Sequence, residues 1–256
     1  MRTDDDIAYD IEFFWDPVCP FAWITSRWVE EVAAKTGMTV DWRFISLRLL
    51  NKEKNYATEF PPAYEHGHTA GLRFLRVAAA VRSELGRDAM ASLVKAYGES
   101  YWDAAHEDRH EVHAALSSKA HARAVLAAAG VDERFADALD DLSRDAELNA
   151  ETELALERTG RDVGTPIITF NRPDGTALSF FGPVISRIPS PDEAVPLWNA
   201  VTALAAFPGF AEMKRSLREV PQLRITGALG DEPTFEDWTG GHRRGHLESD
   251  QADADS

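Results

Sequence analysis

The chain has one cysteine, Cys19, among its 256 residues. An internal disulfide is therefore impossible, and a disulfide-stabilised extracellular scaffold is excluded. A scarcity of cysteine is typical of proteins from reducing compartments, so we expect a cytoplasmic protein. The opening sequence MRTDDDIAYD fits this expectation, because it has neither the basic start nor the apolar run of a secretory signal.

Basic residues and long apolar runs are also scarce. Lys and Arg total 27 against 43 Asp and Glu, which gives a formal net charge of −16. Nucleic acids and anionic membranes bind basic faces, so we expect neither as a partner. No segment has the roughly 18 consecutive apolar residues that indicate a membrane span. The 44% hydrophobic and 27% charged residues are typical of a globular protein.

The first part of the chain predicts a strand, a helix and a second strand. YDIEFFWD at 9–16 collects aromatic and branched residues, as strands do. From Pro20 to about Lys35 apolar residues recur at helical spacing, and Gly37 is placed to end that helix. TVDWRFISL at 39–47 alternates apolar and polar residues. This order is a βαβ unit, which requires a parallel sheet.

The pattern becomes helical between residues 58 and 160. Alanine-rich segments such as GLRFLRVAAAVRSELG, AHARAVLAAAG and ERFADALDDL all have helical periodicity. We therefore expect an all-helical domain at 58–160, inserted into an α/β domain formed by 9–57 and 161–221.

Strand signals return after this insertion. TPIITFN at 165–171 and TALSFFG at 176–182 predict a hairpin around the turn RPDG. SPDE at 190–193 has the pattern of a helix capping box. The two ends, 1–8 and 227–256, are polar and acidic and predict disorder.

Cys19 directly precedes the predicted first helix, within DPVCPFAW. Its sulfur would lie near the unpaired N–H groups of the helix, where a thiolate is favoured. Cysteines in this setting have a lowered pKa and act as nucleophiles. Pro20 suits the first helical position, because the N–H that it lacks would be unpaired there. The alternative is that Cys19 is a small buried apolar residue, and the local pattern leaves both interpretations open.

A proline also stands at the start of the strand predicted at 165–171. Pro166 cannot donate a hydrogen bond to a sheet, so its position needs a reason. One reason is a cis peptide bond between Thr165 and Pro166, which would bend the backbone toward a neighbouring site. The commoner alternative is a trans proline at a strand edge.

These segments together resemble the DsbA-like branch of the thioredoxin superfamily, over residues 9 to 221. The nearest resemblance is to an actinobacterial cytoplasmic group that includes mycothiol-dependent nitroreductases. It implies an α/β thioredoxin-like fold with an inserted all-helical domain, often as a homodimer. The segments that carry it are FFWDPVCPFAWITSRW at 13–28, SLRLLN at 46–51, VGTPII at 163–168, FFGPVIS at 180–186 and PLWNAVT at 196–202.

The resemblance also implies roles for single residues. Cys19 matches the nucleophilic cysteine, with Pro20 and Phe21 beside it as thiol-binding candidates. Pro166 matches the cis-proline that faces the nucleophile, and Thr165 would offer its backbone to a bound thiol or peptide. Phe21 departs from the family pattern, in which a tryptophan is usual.

Ala22 stands where two-cysteine members carry a resolving cysteine. A Cys-x-x-Cys enzyme closes on itself to release its product, and this chain cannot. An external thiol must resolve any mixed disulfide at Cys19, and the resemblance suggests mycothiol. We expect this small thiol as a co-substrate and no tightly bound cofactor.

Two further candidate residues have simpler alternative interpretations. Asn51 follows the second strand segment and could face the cleft, although a turn or capping role is commoner. His106, in WDAAHEDRH, lies where the family closes over its active site, although a solvated surface is the commoner explanation for this cluster. His110 and His113 follow at helical spacing, but the acidic residues between them favour a hydrated face, so no metal site is predicted.

Three functions fit the sequence. The favoured one is a thiol oxidoreductase. This hypothesis predicts that iodoacetamide alkylates Cys19 well below the usual thiol pKa of about 8.5. A higher pKa would count against it. The second is a thiol transferase or isomerase similar to kappa-class glutathione transferases and chromene-carboxylate isomerases, which use serine at the nucleophile position. The third is a non-catalytic binding module.

Overall fold

The computed structural model describes residues 9–61, 63–104, 115–227, 229 and 234–237. Its first elements form the βαβ unit that the sequence predicts. They are β1 (Ile11–Trp15), α1 (Pro20–Thr36) and β2 (Val40–Phe44). The strands β1 and β2 pair in parallel. Helix α1 ends at Gly37, whose φ of 75° is the left-handed conformation that favours glycine.

Helices fill the chain between β2 and the next strand. ERFADALDDL, expected to be α-helical, instead forms 3₁₀ segments at Glu133–Asp140 and Leu142–Arg144. The α-helices of this region are α2 (Leu47–Leu50), α3 (Tyr56–Glu59), α4 (Tyr64–Leu85), α5 (Met90–Tyr101), α6 (Lys119–Ala128) and α7 (Asp145–Thr159).

The sheet is completed by an antiparallel hairpin, β3 (Ile167–Asn171) and β4 (Ala177–Phe181). The strand order is β2-β1-β3-β4, with β3 antiparallel to β1. A βαβ unit followed by such a hairpin, with helices inserted between them, is a thioredoxin-like fold with a helical insertion. The fold class predicted from the sequence is confirmed.

Helix α8 (Pro191–Ala206) packs against α1 on one face of the sheet. The predicted capping box forms, because Ser190 and Glu193 each bond the other's backbone N–H. The indole N–H of Trp28 donates to the Ala194 carbonyl at 2.9 Å, and the rings of Trp28 and Trp198 lie 5.6 Å apart. These contacts fix the helix that carries Cys19.

Part of the C-terminal tail has regular structure, contrary to our expectation of disorder for 227–256. Strand β6 (Phe235–Asp237) pairs antiparallel with β5 (Leu217–Glu219). A strand of three residues is too short to show the alternation of apolar and polar residues by which strands are recognised in a sequence. In the described part of the chain, no helix is both long enough and apolar enough to cross a bilayer.

A buried charge network joins the helical insertion to the sheet. The carboxylate of Glu151 on α7 accepts from the Phe44 backbone N–H at 2.7 Å. The same carboxylate pairs with Arg82 of α4 at 2.9 Å and with Arg43 of β2 at 3.2 Å. The Arg82 guanidinium lies 3.9 Å from the centre of the Phe44 ring. One carboxylate thus holds two inserted helices against the edge strand.

Helix α5 approaches α1 at a glycine. A Cβ at Gly98 would lie 2.1 Å from ring carbons of Trp23, so only glycine fits without a shift. The Trp23 indole N–H donates to Asp103 at 3.1 Å, just beyond the end of α5. This close approach sets the distance between the insertion and the first turn of α1.

We expect Gly98→Ala to lower the free energy of unfolding by about 1–3 kcal/mol, because the added methyl group overpacks Trp23. Gly67→Ala is the matched control. Gly67 is also helical, but a Cβ there meets nothing within 4 Å. The control should therefore stabilise the protein by about 0.5–1 kcal/mol. Urea unfolding of both variants measures the difference, and equal effects would contradict this account of the α1–α5 contact.

Candidate active site

Cys19 is the N-cap residue of α1. Its Sγ accepts from the Ala22 backbone N–H at 3.4 Å, and its own N–H donates to the Asp16 carbonyl at 3.2 Å. Pro20 occupies the first helical position, as the sequence predicts. The turn after β1 therefore presents the sulfur at the helix N-terminus, where N–H groups point outward.

The segment before β3 closes over the sulfur. The peptide bond between Thr165 and Pro166 is cis. The Cys19 thiol donates to the Thr165 carbonyl at 3.4 Å, across 146 positions of sequence. Only a protonated thiol can make this bond, because a thiolate has no hydrogen to donate.

Burial decides the protonation of Cys19. The residue is 6% exposed. Loss of hydration raises the pKa of its thiol to about 12, against a smaller lowering by the Ala22 N–H, and the nearby Asp16 carboxylate raises it further. The expectation of a lowered pKa was therefore wrong for this closed site. The sequence reveals the helix terminus but not how completely the sulfur is covered.

Asp16 is a second buried ionisable group at the site, which the sequence reasoning missed. Burial raises the pKa of its carboxyl to about 7, although backbone N–H bonds from Leu47 and Val18 lower it. Those bonds are 2.7 and 2.8 Å long. The only available signal was an acidic residue directly after an apolar strand. Asp16 ties the turn that carries Cys19 to the start of α2.

The helical insertion packs directly against this turn. A Cβ at Gly71 of α4 would lie 2.9 Å from both the Asp16 carboxylate and the Val18 side chain. Beyond α5, the Trp102 indole N–H donates to the Pro17 carbonyl at 3.1 Å. The insertion thus forms one wall of the site.

Some of the remaining predicted site residues lie beside Cys19, and others do not. Phe21 and Pro20 lie half-buried in the first turn of α1. The Thr165 hydroxyl is buried and bonds no described group. Asn51 caps α2 through its Nδ2, which donates to the Leu47 carbonyl at 2.8 Å, and its role in the cleft stays a prediction. His106 lies outside the described residues.

The segment after β4 contacts α1, and its Gly182–Pro183 peptide bond is also cis. The Thr25 hydroxyl donates to the Pro183 carbonyl at 3.1 Å. The segment FFGPVIS was predicted to matter only from the family resemblance. The contact between Thr25 and Pro183 now places it against the helix that begins at Cys19. Among the described residues, no three His, Cys, Asp or Glu side chains are grouped as metal ligands would be.

The chain matches a model of the Rv2466c-like family, described as mycothiol-dependent nitroreductase Rv2466c, over residues 18–215. It is 33% identical over 210 residues to uncharacterized protein Rv2286c of Mycobacterium tuberculosis, a match that covers 80% of this chain and 81% of that protein.

Two solved bacterial structures are similar at 18% identity. A putative protein-disulfide isomerase from Pseudomonas syringae covers 73% of this chain and 90% of its own, with a TM-score of 0.44. The cytosolic disulfide reductase DsbM from Pseudomonas aeruginosa covers 76% and 98%, with a TM-score of 0.47.

We expect native Cys19 to react slowly with iodoacetamide at neutral pH, with a pH midpoint above the ordinary thiol value of about 8.5. In denaturant the midpoint should return to that value, because burial is lost. Asp16→Asn should lower the native midpoint, since it removes a neighbouring negative charge. The exposed Asp192→Asn serves as a control and should leave it unchanged. A native midpoint at or below 8.5, or no difference between the variants, would contradict this electrostatic description.

Proposed function

The chain belongs to the Rv2466c-like family of mycothiol-dependent nitroreductases, and from this premise we propose a thiol oxidoreductase that uses one nucleophilic cysteine and one external thiol. The family predicted from the sequence is thus confirmed. The observation that carries the proposal is the position of Cys19, at the N-terminus of α1 and against the Thr165 carbonyl. The external thiol in this proposal is mycothiol.

A single-cysteine mechanism follows from the residue at position 22. Ala22 is buried and its backbone N–H contacts the Cys19 sulfur, so its side chain occupies the place from which a second thiol would attack. Cys19 is the only cysteine of the chain. Release of a mixed disulfide must therefore come from a thiol that the solution supplies.

The proposed disulfide reduction has two steps at Cys19. The Cys19 thiolate attacks one sulfur of a substrate disulfide, an S–S bond forms to Cys19, and the other sulfur leaves as a thiolate. Mycothiol thiolate then attacks the substrate sulfur of the mixed disulfide, which frees Cys19 as a thiolate and leaves that half of the substrate in a disulfide with mycothiol. A second mycothiol in solution completes the reduction by releasing the substrate thiolate and forming mycothiol disulfide. For a nitro compound, Cys19 and mycothiol would together supply two electrons and two protons, giving a nitroso product, water and their mixed disulfide. A second mycothiol then regenerates Cys19.

The buried state of Cys19 distinguishes this site from those of the strongly oxidising members of the superfamily. Strongly oxidising members of the superfamily have a stabilised thiolate, which favours their reduced form. Burial instead raises the pKa of the Cys19 thiol to about 12, so this site offers its thiolate no such stabilisation. The same property counts against reaction in the closed state. Attack therefore requires that the thiol lose its proton as the substrate binds.

One observation favours a second function. A neutral, buried thiol can donate a hydrogen bond as a serine hydroxyl does, and Cys19 already donates to a carbonyl. Cys19 could then hold and activate a bound small thiol that itself attacks an electrophile, which would make the protein a transferase or isomerase.

Cytoplasmic location and homodimer formation remain part of our proposal. The single cysteine supports the location, and the family resemblance supports the dimer.

The deciding experiment is intact-mass spectrometry of the protein purified from its own host, combined with activity of Cys19→Ser. The leading proposal expects a thiol adduct on Cys19 and complete loss of mycothiol-dependent turnover in the variant. Turnover with an aromatic electrophile that survives in Cys19→Ser would instead identify the transferase function. Binding of clients without any thiol chemistry would exclude both functions.

Ala22→Cys should restore the missing step. With a second thiol three residues after Cys19, the variant should form an internal disulfide and release its product without an added thiol. Ala22→Ser is the matched control, since it adds a similar side chain that cannot form a disulfide. We expect product formation at limiting mycothiol to increase only in the cysteine variant. Equal activity of the two variants would contradict the proposed single-cysteine mechanism.

A further inference from the structure

A small cavity lies beneath the turn that carries Cys19, between the first turn of α1 and helix α5. Its volume is about 10 Å³, which is close to the space that one water molecule needs. The side chains around it are mostly aromatic and apolar, but three of them carry polar atoms whose bonding matters. These three are Trp15, Asp16 and Tyr97.

Two of these side chains have a polar atom without a partner. The Trp15 indole N–H and the Tyr97 hydroxyl are buried and bond no other group of the described chain. The residues are 3% and 1% exposed, respectively. Burying an N–H or O–H group without a hydrogen bond is costly, so native proteins rarely leave such groups unpaired. Two such groups at one cavity indicate a shared partner.

Asp16 can supply the acceptor that a shared partner needs. Its two carboxylate oxygens accept one backbone N–H each, from Val18 and Leu47. A carboxylate has about four lone-pair positions, so each oxygen can accept once more. The rings of Trp15 and Tyr97 meet edge to face with centroids 6.5 Å apart. Because Trp15, Asp16 and Tyr97 all line this cavity, which has room for one water, a molecule bound there adjoins all three side chains.

We propose that this cavity is a binding site for one structural water molecule, held by the Trp15 indole, the Tyr97 hydroxyl and the Asp16 carboxyl. The water accepts from the Trp15 Nε1–H, bonds the Tyr97 hydroxyl and donates to the Asp16 carboxyl. A buried water usually makes about three such bonds. This site links the end of β1 to α5 and hydrates the buried carboxyl beside Cys19. It does not depend on the reaction proposed for Cys19.

The direct test is a crystal structure of the full chain at atomic resolution, with a solution measurement of water contacts to the Trp15 indole proton by nuclear Overhauser spectroscopy. We expect one ordered water between Trp15 and Tyr97 and a long-lived contact to the indole. A cavity without electron density, or an indole proton that shows no water contact, would overturn the proposal.

Substitution of Tyr97 gives an independent test, because a bound water and a dry cavity predict different changes in the melting temperature. If the water is bound, Tyr97→Phe removes one of its partners and should lower the melting temperature. If the cavity is dry, the same change removes a buried unpaired hydroxyl and should leave the melting temperature unchanged or raise it. Tyr56→Phe is the control for a directly bonded hydroxyl, since Tyr56 bonds His68 at 2.9 Å. That control should lower the melting temperature in either case.

Discussion

The Asp16 carboxylate is the constraint on which the site depends. It lies 1% exposed at the end of β1, where it accepts N–H groups from the turn and from the start of α2. A buried carboxylate needs such bonds to remain in place. Because Leu47 belongs to the chain after β2, this one side chain joins two loops at the same edge of the sheet. The loop that carries Cys19 is positioned as a result.

The chemistry at Cys19 results from two opposing effects of one location. The helix N-terminus offers an N–H group from Ala22 and favours a thiolate, whereas burial and the negative charge of Asp16 favour the thiol. Burial is the larger effect here, because the hydration energy that a buried thiolate loses exceeds the energy of the single backbone hydrogen bond that it gains. The protonated thiol can then donate a hydrogen bond to the Thr165 carbonyl. The closed site therefore favours a neutral thiol at Cys19.

The helical insertion contributes to the site as well as to the size of the protein. Gly71 of α4 and Gly98 of α5 both lie where a methyl group would collide with the turn before Cys19 or with the helix after it. These glycines let two helices approach closely enough to bury Asp16 and Cys19. The Glu151 carboxylate holds the other side of the insertion against β2. Coverage of the sulfur thus depends on residues far away in sequence.

Local patterns in the sequence determined much of this protein. Spacing alone predicts the aromatic strand β1, the apolar stripe of α1 and the capping box of α8, because each depends only on residues close together in the sequence. Cys19 at a helix start is predictable for the same reason. The state of its thiol, the role of Asp16 and the strand at 235–237 are not, because each depends on residues brought together from distant parts of the chain. Only the tertiary structure decides burial, and burial decides which protonation state of Cys19 is favoured.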